Sequence, residues 1–335
     1  MLYKDYTFSK NMRKEKKIPE PNPLFLERMQ EIFNSEKDYK EYLEILKHKP
    51  SKSIRCNTLK VSPEKLKKKL ESYGWKLVQP WEEYPEVMVI DCELEPGELG
   101  RSLEHLLGYY YIQELASMLP IIALKPKEND VILDLCAAPG SKTTQAAAEA
   151  KNTGLIIANE LSMGRIKILA SNLERCGVTN TIITKKEGAA LSKRFKKQNL
   201  KFDKILVDAP CSGEGTLRSK YKTHGMWNIK TIMSLPRIQK SLFLESFKIL
   251  KVGGEIIYST CTHAPEENES VVSAILNELG DRIKIEKIKI PVTTRKGLTK
   301  WKNDEYNKGV ELACRVYPQD NDTDGFFLSK FTKLK

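Results

Sequence analysis

The sequence predicts an α/β domain with a mostly parallel sheet, preceded by a smaller α+β module. From residue 115 onward, five short apolar runs each end in polar or small residues and alternate with helical stretches. This alternation is typical of a parallel sheet covered on both faces. Before that point, a strand, a basic helix and further strands indicate a separate unit. Since 335 residues suffice for both, we divide the chain into residues 1–112 and 113–335.

The N-terminal part begins with about 20 polar and basic residues, expected to form a loose arm or a first helix. Apolar residues at helical spacing then predict two helices, NPLFLERMQEIF and EKDYKEYLEILKHK. The next segments favour strands in SIRCNTLK, KLVQP and EVMVID. Between the first two of these, a helix is expected with Ser62 as its N-cap, Pro63 at its first position and Gly74 as its stop. Its lysines, Lys65 and Lys67–Lys69, form either a solvated face or an RNA contact.

The second part follows the same logic with longer elements. Its apolar runs predict five strands, VILDLC, GLIIANE, NTIITKKE, FDKILVDAP and GEIIYSTC. Helices are expected at residues 141–150, 163–176, 188–198 and 231–250. Near the end, ELACRVYP and DGFFLSKFTK are interpreted as an antiparallel strand pair at the edge of the sheet.

Composition narrows the class of protein. The net charge of +12 favours an anionic partner, of which nucleic acid is the commonest, although lysine-rich surfaces also serve solubility alone. The seven cysteines are odd in number and contain no CxxC pair, which argues against a disulfide framework and a structural zinc site. We found no signal-peptide pattern and no apolar run of membrane-spanning length. A cytoplasmic protein without a bound metal is therefore expected.

A ligand loop is expected after the first strand of the α/β part, because open sheets bind ligands beyond the carboxyl ends of their strands. DLCAAPGSKTT follows that strand with small residues and opens a helix, but lacks both the P-loop and the dinucleotide fingerprint. Asp134, Glu160 and Glu187 close three successive strands, where a carboxylate can accept ribose hydroxyls or cap a helix. This set favours a nucleoside without a phosphate tail, and S-adenosyl-L-methionine is the obvious candidate.

Three longer motifs, DLCAAPGSKTTQ, DAPCSGEGTLR and YSTCTHAPEENE, resemble those of the RNA (cytosine-5) methyltransferases. That family includes RsmB, a eukaryotic nucleolar branch and the Sun-domain proteins. YYYIQELASMLP and RVYPQDNDTDGFF extend the resemblance to roughly residues 105–330. The resemblance implies a Rossmann-like S-adenosylmethionine-dependent methyltransferase fold with an N-terminal RNA-binding module.

The resemblance also implies a set of cofactor contacts. Glu160 matches the acid that binds the ribose, and Arg165 matches a basic residue five positions later. Glu187 stands where the family usually has Asp, which makes it the weakest match. The full predicted set is Cys136, Ala137, Ala138, Pro139, Gly140, Ser141, Lys142, Glu160, Arg165, Glu187 and Asp208.

The chemistry of cytosine methylation explains two thiols near the mouth of the sheet. C5 of cytosine is a poor nucleophile, and addition of a thiolate at C6 makes it reactive toward a sulfonium methyl group. A base then removes the C5 proton and the thiol leaves. A Pro-Cys dipeptide, as in DNA enzymes, points to Cys211, whereas the RNA family uses the cysteine of its later Thr-Cys motif. The resemblance therefore implies Cys261 as nucleophile and Cys211 as the thiol for product release, against the alternative of two small buried thiols.

Two further residues complete the predicted catalytic set. Asp208 is expected to hydrogen-bond the amino group or N3 of cytosine, where charge develops on the ring. Lys142 is expected to support Asp208 or to lower the pKa of a thiol, unless it is a solvent-facing lysine at a helix start. An exposed or flipped base also needs a stacking surface, for which the candidates are Arg218, Tyr221 and Trp227, each of which can equally be surface or core.

The predicted function is methylation of C5 of a cytosine in RNA. The chain length leaves room for one N-terminal module and no added C-terminal RNA-binding domain, which favours tRNA over the alternative, rRNA. A non-catalytic RNA-binding relative would be expected to lack at least one of Lys142, Asp208, Cys211 and Cys261. A small-molecule methyltransferase would need neither the cysteine pair nor the basic excess.

Overall fold

The computed structural model of the chain describes residues 20–220 and 222–335. The predicted N-terminal arm and Tyr221 therefore lie outside the described residues, and the predictions made for them stay untested. Among the residues described, no helix is both long and apolar enough to cross a membrane.

The N-terminal part contains a four-stranded antiparallel sheet in the order β2-β3-β1-β4 within the described residues. Its elements are α1 (Pro23–Phe33), α2 (Glu36–Ile45), β1 (Ser53–Cys56), α3 (Pro63–Glu71), β2 (Leu77–Val78), β3 (Val87–Ile90), α4 (Glu98–Arg101), α5 (Leu103–Leu106) and β4 (Tyr110–Ile112).

Helix α3 shows how local sequence determines this part. Ser62 caps the helix as predicted, since its side chain accepts a hydrogen bond from the Lys65 amide at 3.4 Å. Leu66 and Leu70 are buried against the sheet, each contributing roughly 1.5–3 kcal/mol. Gly74 follows the helix with a φ of 88°, a conformation that glycine adopts without strain. The predicted helix is thus confirmed.

Helices α1 and α2 pack away from this small sheet, against elements of the α/β part. Phe25 of α1 contacts Trp227 edge to face, with ring centroids 5.9 Å apart. Arg28 makes a bidentate ion pair with Glu266, at 3.0 and 2.7 Å. Because such paired hydrogen bonds fix orientation as well as distance, they hold α1 in place over the α/β part.

The α/β part is built on a nine-stranded sheet of described residues, in the order β11-β14-β15-β9-β8-β5-β6-β7, with β10 paired to β15. Its elements are α6 (Leu115–Leu124), β5 (Val131–Asp134), α7 (Ser141–Glu149), β6 (Leu155–Asn159), α8 (Met163–Cys176), β7 (Thr181–Thr184), α9 (Gly188–Lys197), β8 (Phe202–Asp208), α10 (Lys222–Met226), α11 (Ile229–Ser234), α12 (Pro236–Phe247), β9 (Leu250–Thr260), α13 (Glu269–Leu279), β10 (Ile283–Glu286), β11 (Arg295–Lys296), β12 (Lys300–Trp301), β13 (Asp304–Glu305), β14 (Cys314–Val316), α14 (Pro318–Asn321) and β15 (Phe326–Lys333).

The five predicted strands are present as β5 to β9 and pair in parallel. Consecutive residues of one strand enter different cores: Ile132 and Ile257 pack on one face, Leu133 and Ile256 on the other. This alternation follows from the two-residue period of a strand and covers both faces with apolar contacts. The sheet-class prediction is confirmed.

Two expectations for the α/β part need correction. The helix predicted over 231–250 is two helices, α11 and α12, because Pro236 occupies the first position of α12 and ends the preceding turn. The predicted strand pair, β14 and β15, is antiparallel as expected, but β15 is not at the edge. It pairs with β9 along one edge and with β14 and β10 along the other, so it is an interior strand of the sheet.

Candidate active site

The candidate site lies at the carboxyl ends of β5, β6, β7, β8 and β9. The loop after β5 ends at Gly140, whose φ of 107° and close contact with Leu169 leave no room for a side chain. An added Cβ at Gly140 would lie 3.0 Å from Leu169 Cδ1. Asp134 is buried beneath this loop and accepts a hydrogen bond from the Thr143 hydroxyl at 2.7 Å. Asp134 thus anchors the first turn of α7 and takes no place in the cavity described next.

A first cavity of about 490 Å³ opens above these strand ends. Six residues of the predicted cofactor set line it, namely Cys136, Ala138, Glu160, Arg165, Glu187 and Asp208. Three others, Pro139, Ser141 and Lys142, line a neighbouring cavity instead. Ala137 and Gly140 line neither cavity and shape the backbone of the loop.

The acid at the end of β6 is held by its neighbours. Glu160 is 5% exposed and accepts a hydrogen bond from the Ser162 amide at 2.9 Å. Its second oxygen lies 3.1 Å from Arg165, which also donates to the Ala138 carbonyl. Arg165 therefore ties the β6 end to the loop after β5, with the Glu160 carboxylate on the cavity wall between them.

The acid at the end of β7 has a different surrounding. Both carboxylate oxygens of Glu187 accept backbone hydrogen bonds, from Ala189 at 3.0 Å and from Ala190 at 2.7 Å. Glu187 is thus the N-cap of α9 as well as a lining residue of the first cavity. This is the helix-cap alternative that the sequence left open for the acids.

The second cavity, of about 500 Å³, lies on the other side of Asp208 and Cys261. Its walls come from the N-terminal sheet, the start of α6, the loop after β5 and the segment after β8. Five residues line both cavities, namely Ala138, Arg165, Asp208, Ala209 and Cys261. Asp208 and Cys261 therefore face two compartments at once, as a group acting between two ligands would have to.

The two predicted cysteines lie side by side. Strands β8 and β9 run in parallel with Asp208 opposite Ser259, so the loops that follow them meet. The sulfur atoms of Cys211 and Cys261 are 3.3 Å apart, within hydrogen-bonding distance for thiols. The alternative of two unrelated buried thiols is hard to reconcile with this contact.

The surroundings of the two thiols shift their pKa values in opposite directions. The hydrogen bond from Cys211 lowers the pKa of Cys261, with help from Lys220 and Lys142, although burial and Asp208 oppose it. The same hydrogen bond and burial raise the pKa of Cys211 well above its ordinary value. Cys261 is therefore the thiol of the pair that ionises first, and a neutral Cys211 can then donate its hydrogen to the Cys261 thiolate.

Lys142 is buried, which excludes the solvent-facing alternative. Its ammonium donates to Asp208 at 2.8 Å and to the Ser117 hydroxyl at 3.2 Å. The Ser259 hydroxyl donates to the other oxygen of Asp208 at 2.8 Å. Burial works to lower the pKa of Lys142, but the charge of Asp208 raises it overall. The pair is therefore ionic, and it fixes the Asp208 carboxylate between the cavities.

Two further residues lie near the thiols and the cofactor loop: Cys136, which belongs to the predicted set, and Glu267, which does not. Burial raises the pKa of Cys136, which fits a small residue tolerated in the loop rather than a reactive thiol. Glu267, in the YSTCTHAPEENE motif, is not among the predicted site residues, yet it is buried near the thiols. It accepts hydrogen bonds from the Ser212 amide at 3.0 Å and from Gln239 at 2.8 Å, and burial raises its pKa to about 7. A single sequence contains no signal that distinguishes it from Glu266.

Two residues that the sequence offered as candidates for base stacking, Arg218 and Trp227, are buried in the structure. Arg218 is 1% exposed, and its guanidinium donates hydrogen bonds to protein acceptors. Trp227 is 8% exposed, and its indole donates to Glu214 at 2.7 Å. Because both side chains are buried and hydrogen-bonded, neither presents a face to a flipped base, and these interpretations are wrong.

Comparisons with known proteins agree with this geometry. The model of the family described as 16S rRNA methyltransferase RsmB/F matches residues 121–332. A second model, the N-terminal domain of 16S rRNA methyltransferase RsmF, matches residues 22–115. Together the two matches span both parts of the chain.

Two curated relatives differ in how much of them this chain covers. The Pyrococcus abyssi protein named tRNA (cytosine(49)-C(5))-methyltransferase is 39% identical over 313 residues, covering 93% of this chain and 96% of the relative. The Aliivibrio salmonicida protein named Ribosomal RNA small subunit methyltransferase F is also 39% identical, over 314 residues and 92% of this chain. This chain spans only 63% of the length of that second relative.

Solved structures show the same fold. A methyltransferase homologue from Pyrococcus horikoshii is 31% identical with a TM-score of 0.76, and the match covers 93% of this chain and all of that one. NSun6 from the same organism, solved with the S-adenosylmethionine analogue SFG, is 25% identical with a TM-score of 0.79. That match covers 94% of this chain and 98% of NSun6.

Proposed function

The chain belongs to the RsmB/F family of RNA cytosine-5 methyltransferases, and we propose that it methylates C5 of a cytosine in tRNA. The relative named for tRNA supports this choice, because the two proteins match over nearly their whole lengths. Ribosomal RNA is the second candidate, supported by an equally identical relative of which this chain spans only 63%. We further propose that residues 1–112 act as an RNA-binding extension and that the protein works in the cytoplasm.

S-adenosyl-L-methionine is the cofactor, and it supplies an electrophilic methyl group when bound. The first cavity suits it: a buried carboxylate, Glu160, stands on the wall where ribose hydroxyls need acceptors. The small side chains of the loop after β5 leave its backbone accessible from the cavity. Glu187 has less capacity to bind the cofactor than Glu160, since both of its oxygens already cap α9.

The thiol contact of 3.3 Å is the observation that carries the mechanism. We assign Cys261 as the nucleophile, because its pKa is lowered whereas that of Cys211 is raised, and because it faces both cavities. Addition of its sulfur to C6 of cytosine raises the electron density at C5. In the last step the C5 proton departs to a base and the C6–S bond breaks, so that the sulfur leaves as a thiolate. The Cys211 thiol, already placed as hydrogen-bond donor, stabilises that leaving group.

Asp208 gives the site its selectivity for cytosine in this mechanism. Its ionic pair with Lys142 keeps the carboxylate a pure hydrogen-bond acceptor. Cytosine offers the N4 amino group to such an acceptor, whereas uracil presents a carbonyl oxygen at the same position. If uracil entered the site, its carbonyl oxygen would face the carboxylate of Asp208 and neither group could donate a hydrogen. Such an unpaired arrangement is costly in a partly buried site.

Methylation assays on defined RNAs test the proposal. Purified protein, S-adenosyl-L-methionine and either unmodified tRNA transcripts or small-subunit rRNA are incubated, and bisulfite sequencing locates 5-methylcytosine. We expect methylation of tRNA, and cytosine 49 is the first position to inspect. Methylation of rRNA alone would replace tRNA by the second candidate, and methylation of neither RNA would contradict the proposed function.

A further inference from the structure

A side groove opens from the second cavity, away from the thiols. It has a volume of about 240 Å³ and is lined by residues 49–53 between α2 and β1, residues 112–114 after β4, Arg218 and Ser219. Four of these residues, Ile112, Gln113, Glu114 and Ser219, also line the second cavity. The groove and the cavity are therefore one continuous depression that leads to Cys261.

The groove is a built feature, held together by the arginine that the sequence had suggested for stacking. Arg218 donates to the His48 carbonyl at 2.9 Å, to the Thr323 carbonyl at 2.9 Å and to Asp322 at 2.6 Å. Ser51 donates to the same Asp322 side chain at 2.8 Å. One buried guanidinium thus joins three segments that are far apart in sequence. Because Arg218 is buried and each of its three guanidinium nitrogens donates to a protein acceptor, breaking these hydrogen bonds is costly, and the wall formed by residues 48–51 is fixed.

The charges of the groove favour an anion. Lys49 and Lys52 are exposed on one wall. Among the described residues that line the groove, Glu114 is the one acid, and its carboxylate accepts backbone hydrogen bonds from Ser117 and Asp324, at 3.2 and 2.9 Å. Burial raises the pKa of Glu114 to about 7, which reduces its negative charge at neutral pH. The described residues that line the groove therefore carry more positive than negative charge.

An apolar surface lies between these charges and the thiols. Ile112 is 40% exposed at the end of β4, where groove and cavity join. Single-stranded RNA needs such a combination: a cationic wall for its backbone and an apolar face for an unstacked base. A strand whose target base occupied the second cavity would place the neighbouring nucleotide near this junction, because the groove and the cavity are continuous there.

We propose that the side groove binds the nucleotide next to the target cytosine, with its phosphate between Lys49 and Lys52 and its base on Ile112. This inference rests on the proposed function and adds a specific path for the strand. It also explains why the linker between α2 and β1 is tied so firmly to the motif after Cys211. The groove sets which strand direction and which neighbouring nucleotide the site accepts.

Salt-dependent binding tests the two lysines. We compare the wild-type protein, the double variant Lys49→Ala/Lys52→Ala and the matched control Lys196→Ala/Lys197→Ala, which removes two exposed lysines at the far end of α9. Binding of a short tRNA-derived RNA is measured at several salt concentrations, and methylation is measured in the same samples. Because both lysines contact one phosphate in this proposal, the slope of log K against log salt should fall by about 0.7 for the double variant, as for the loss of one phosphate contact. The control should keep the wild-type slope.

Neutral phosphate analogues identify the contact itself. RNAs with a single methylphosphonate on either side of the target cytosine are bound to wild-type and double-variant protein. We expect one linkage whose neutralisation weakens wild-type binding and leaves the double variant unchanged. Equal losses in both proteins, or a double variant that behaves like the control, would overturn the groove. Wild-type protein that binds RNA but methylates none would instead contradict the proposed function, so the two failures are distinguishable.

Discussion

The two cavities on either side of Cys261 are built in opposite ways. The first cavity is formed by short motifs at the carboxyl ends of neighbouring parallel strands. Most of its lining residues therefore come from one sheet and from the loops that directly follow its strands. The second and its side groove combine β4, α6, the segment after β8 and the start of β15. A cofactor common to a fold can be met by local motifs, whereas an RNA strand requires walls from distant parts of the chain.

The wall shared by both cavities should give the largest effect. Cys261→Ala removes the nucleophile, so we expect methyl transfer to fall by about 10⁴-fold or more and no covalent RNA adduct to form. Cys211→Ala should form the adduct but release it slowly, giving a protein–RNA band that survives denaturing electrophoresis. Because Cys211 also lowers the pKa of Cys261, adduct formation in this variant should require higher pH.

A matched thiol far from the shared wall provides the control. Cys92 is partly exposed and accepts a hydrogen bond from the Lys76 amide in the N-terminal part. Cys92→Ala should methylate RNA at the wild-type rate with no trapped adduct. Normal product release by Cys211→Ala, or an adduct formed by Cys261→Ala, would reverse the assignment of the two roles.

Variants of the first cavity should separate cofactor binding from RNA binding. Glu160→Gln preserves shape but removes the charge facing the ribose site, so the KM for S-adenosylmethionine should rise about 10- to 100-fold, as for loss of a charged hydrogen bond. The KM for RNA should not change. A comparable rise for RNA would mean that the two cavities are not independent.

Glu187→Gln is the informative companion because Glu187 caps α9 with both oxygens. If capping is its main role, the variant should lose about 1 kcal/mol of stability in thermal unfolding. Its KM for S-adenosylmethionine should then change less than that of Glu160→Gln. An equal or larger change would make Glu187 a true cofactor contact.

The sequence predicted the first cavity far better than the second for a physical reason. Cys136, Glu160 and Asp208 each lie at or just after the end of a strand, and parallel strands bring their carboxyl ends together without further information. Arg218 and Trp227 lie in a polar and aromatic segment that, from sequence alone, can be either surface or core. Their burial depends on contacts with α1, α2 and the loop before β15. Such contacts join residues more than a hundred positions apart, and no local pattern encodes them.

The smallest expected effect concerns the charge that the second cavity contributes to the thiolate. Lys220 lines this cavity, is exposed, and helps to lower the pKa of Cys261. Lys220→Met should therefore raise that pKa, so that at any pH below it a smaller fraction of Cys261 is thiolate. The loss of reactivity should be greatest at low pH and should vanish once pH exceeds the pKa in both proteins.

Alkylation measures this shift without RNA. The rate of iodoacetamide labelling of Cys261 is followed by mass spectrometry across a pH series, for wild-type protein, Lys220→Met and the remote control Lys196→Met. Dissolved salt weakens the interaction between an exposed charge and its surroundings, with a Debye length of about 10 Å at 0.1 M. Raising the salt concentration should therefore move the wild-type profile toward that of Lys220→Met. Identical profiles for all three proteins would show that Lys220 leaves the thiolate unaffected, and the thiol pair would then depend on Cys211 and Lys142.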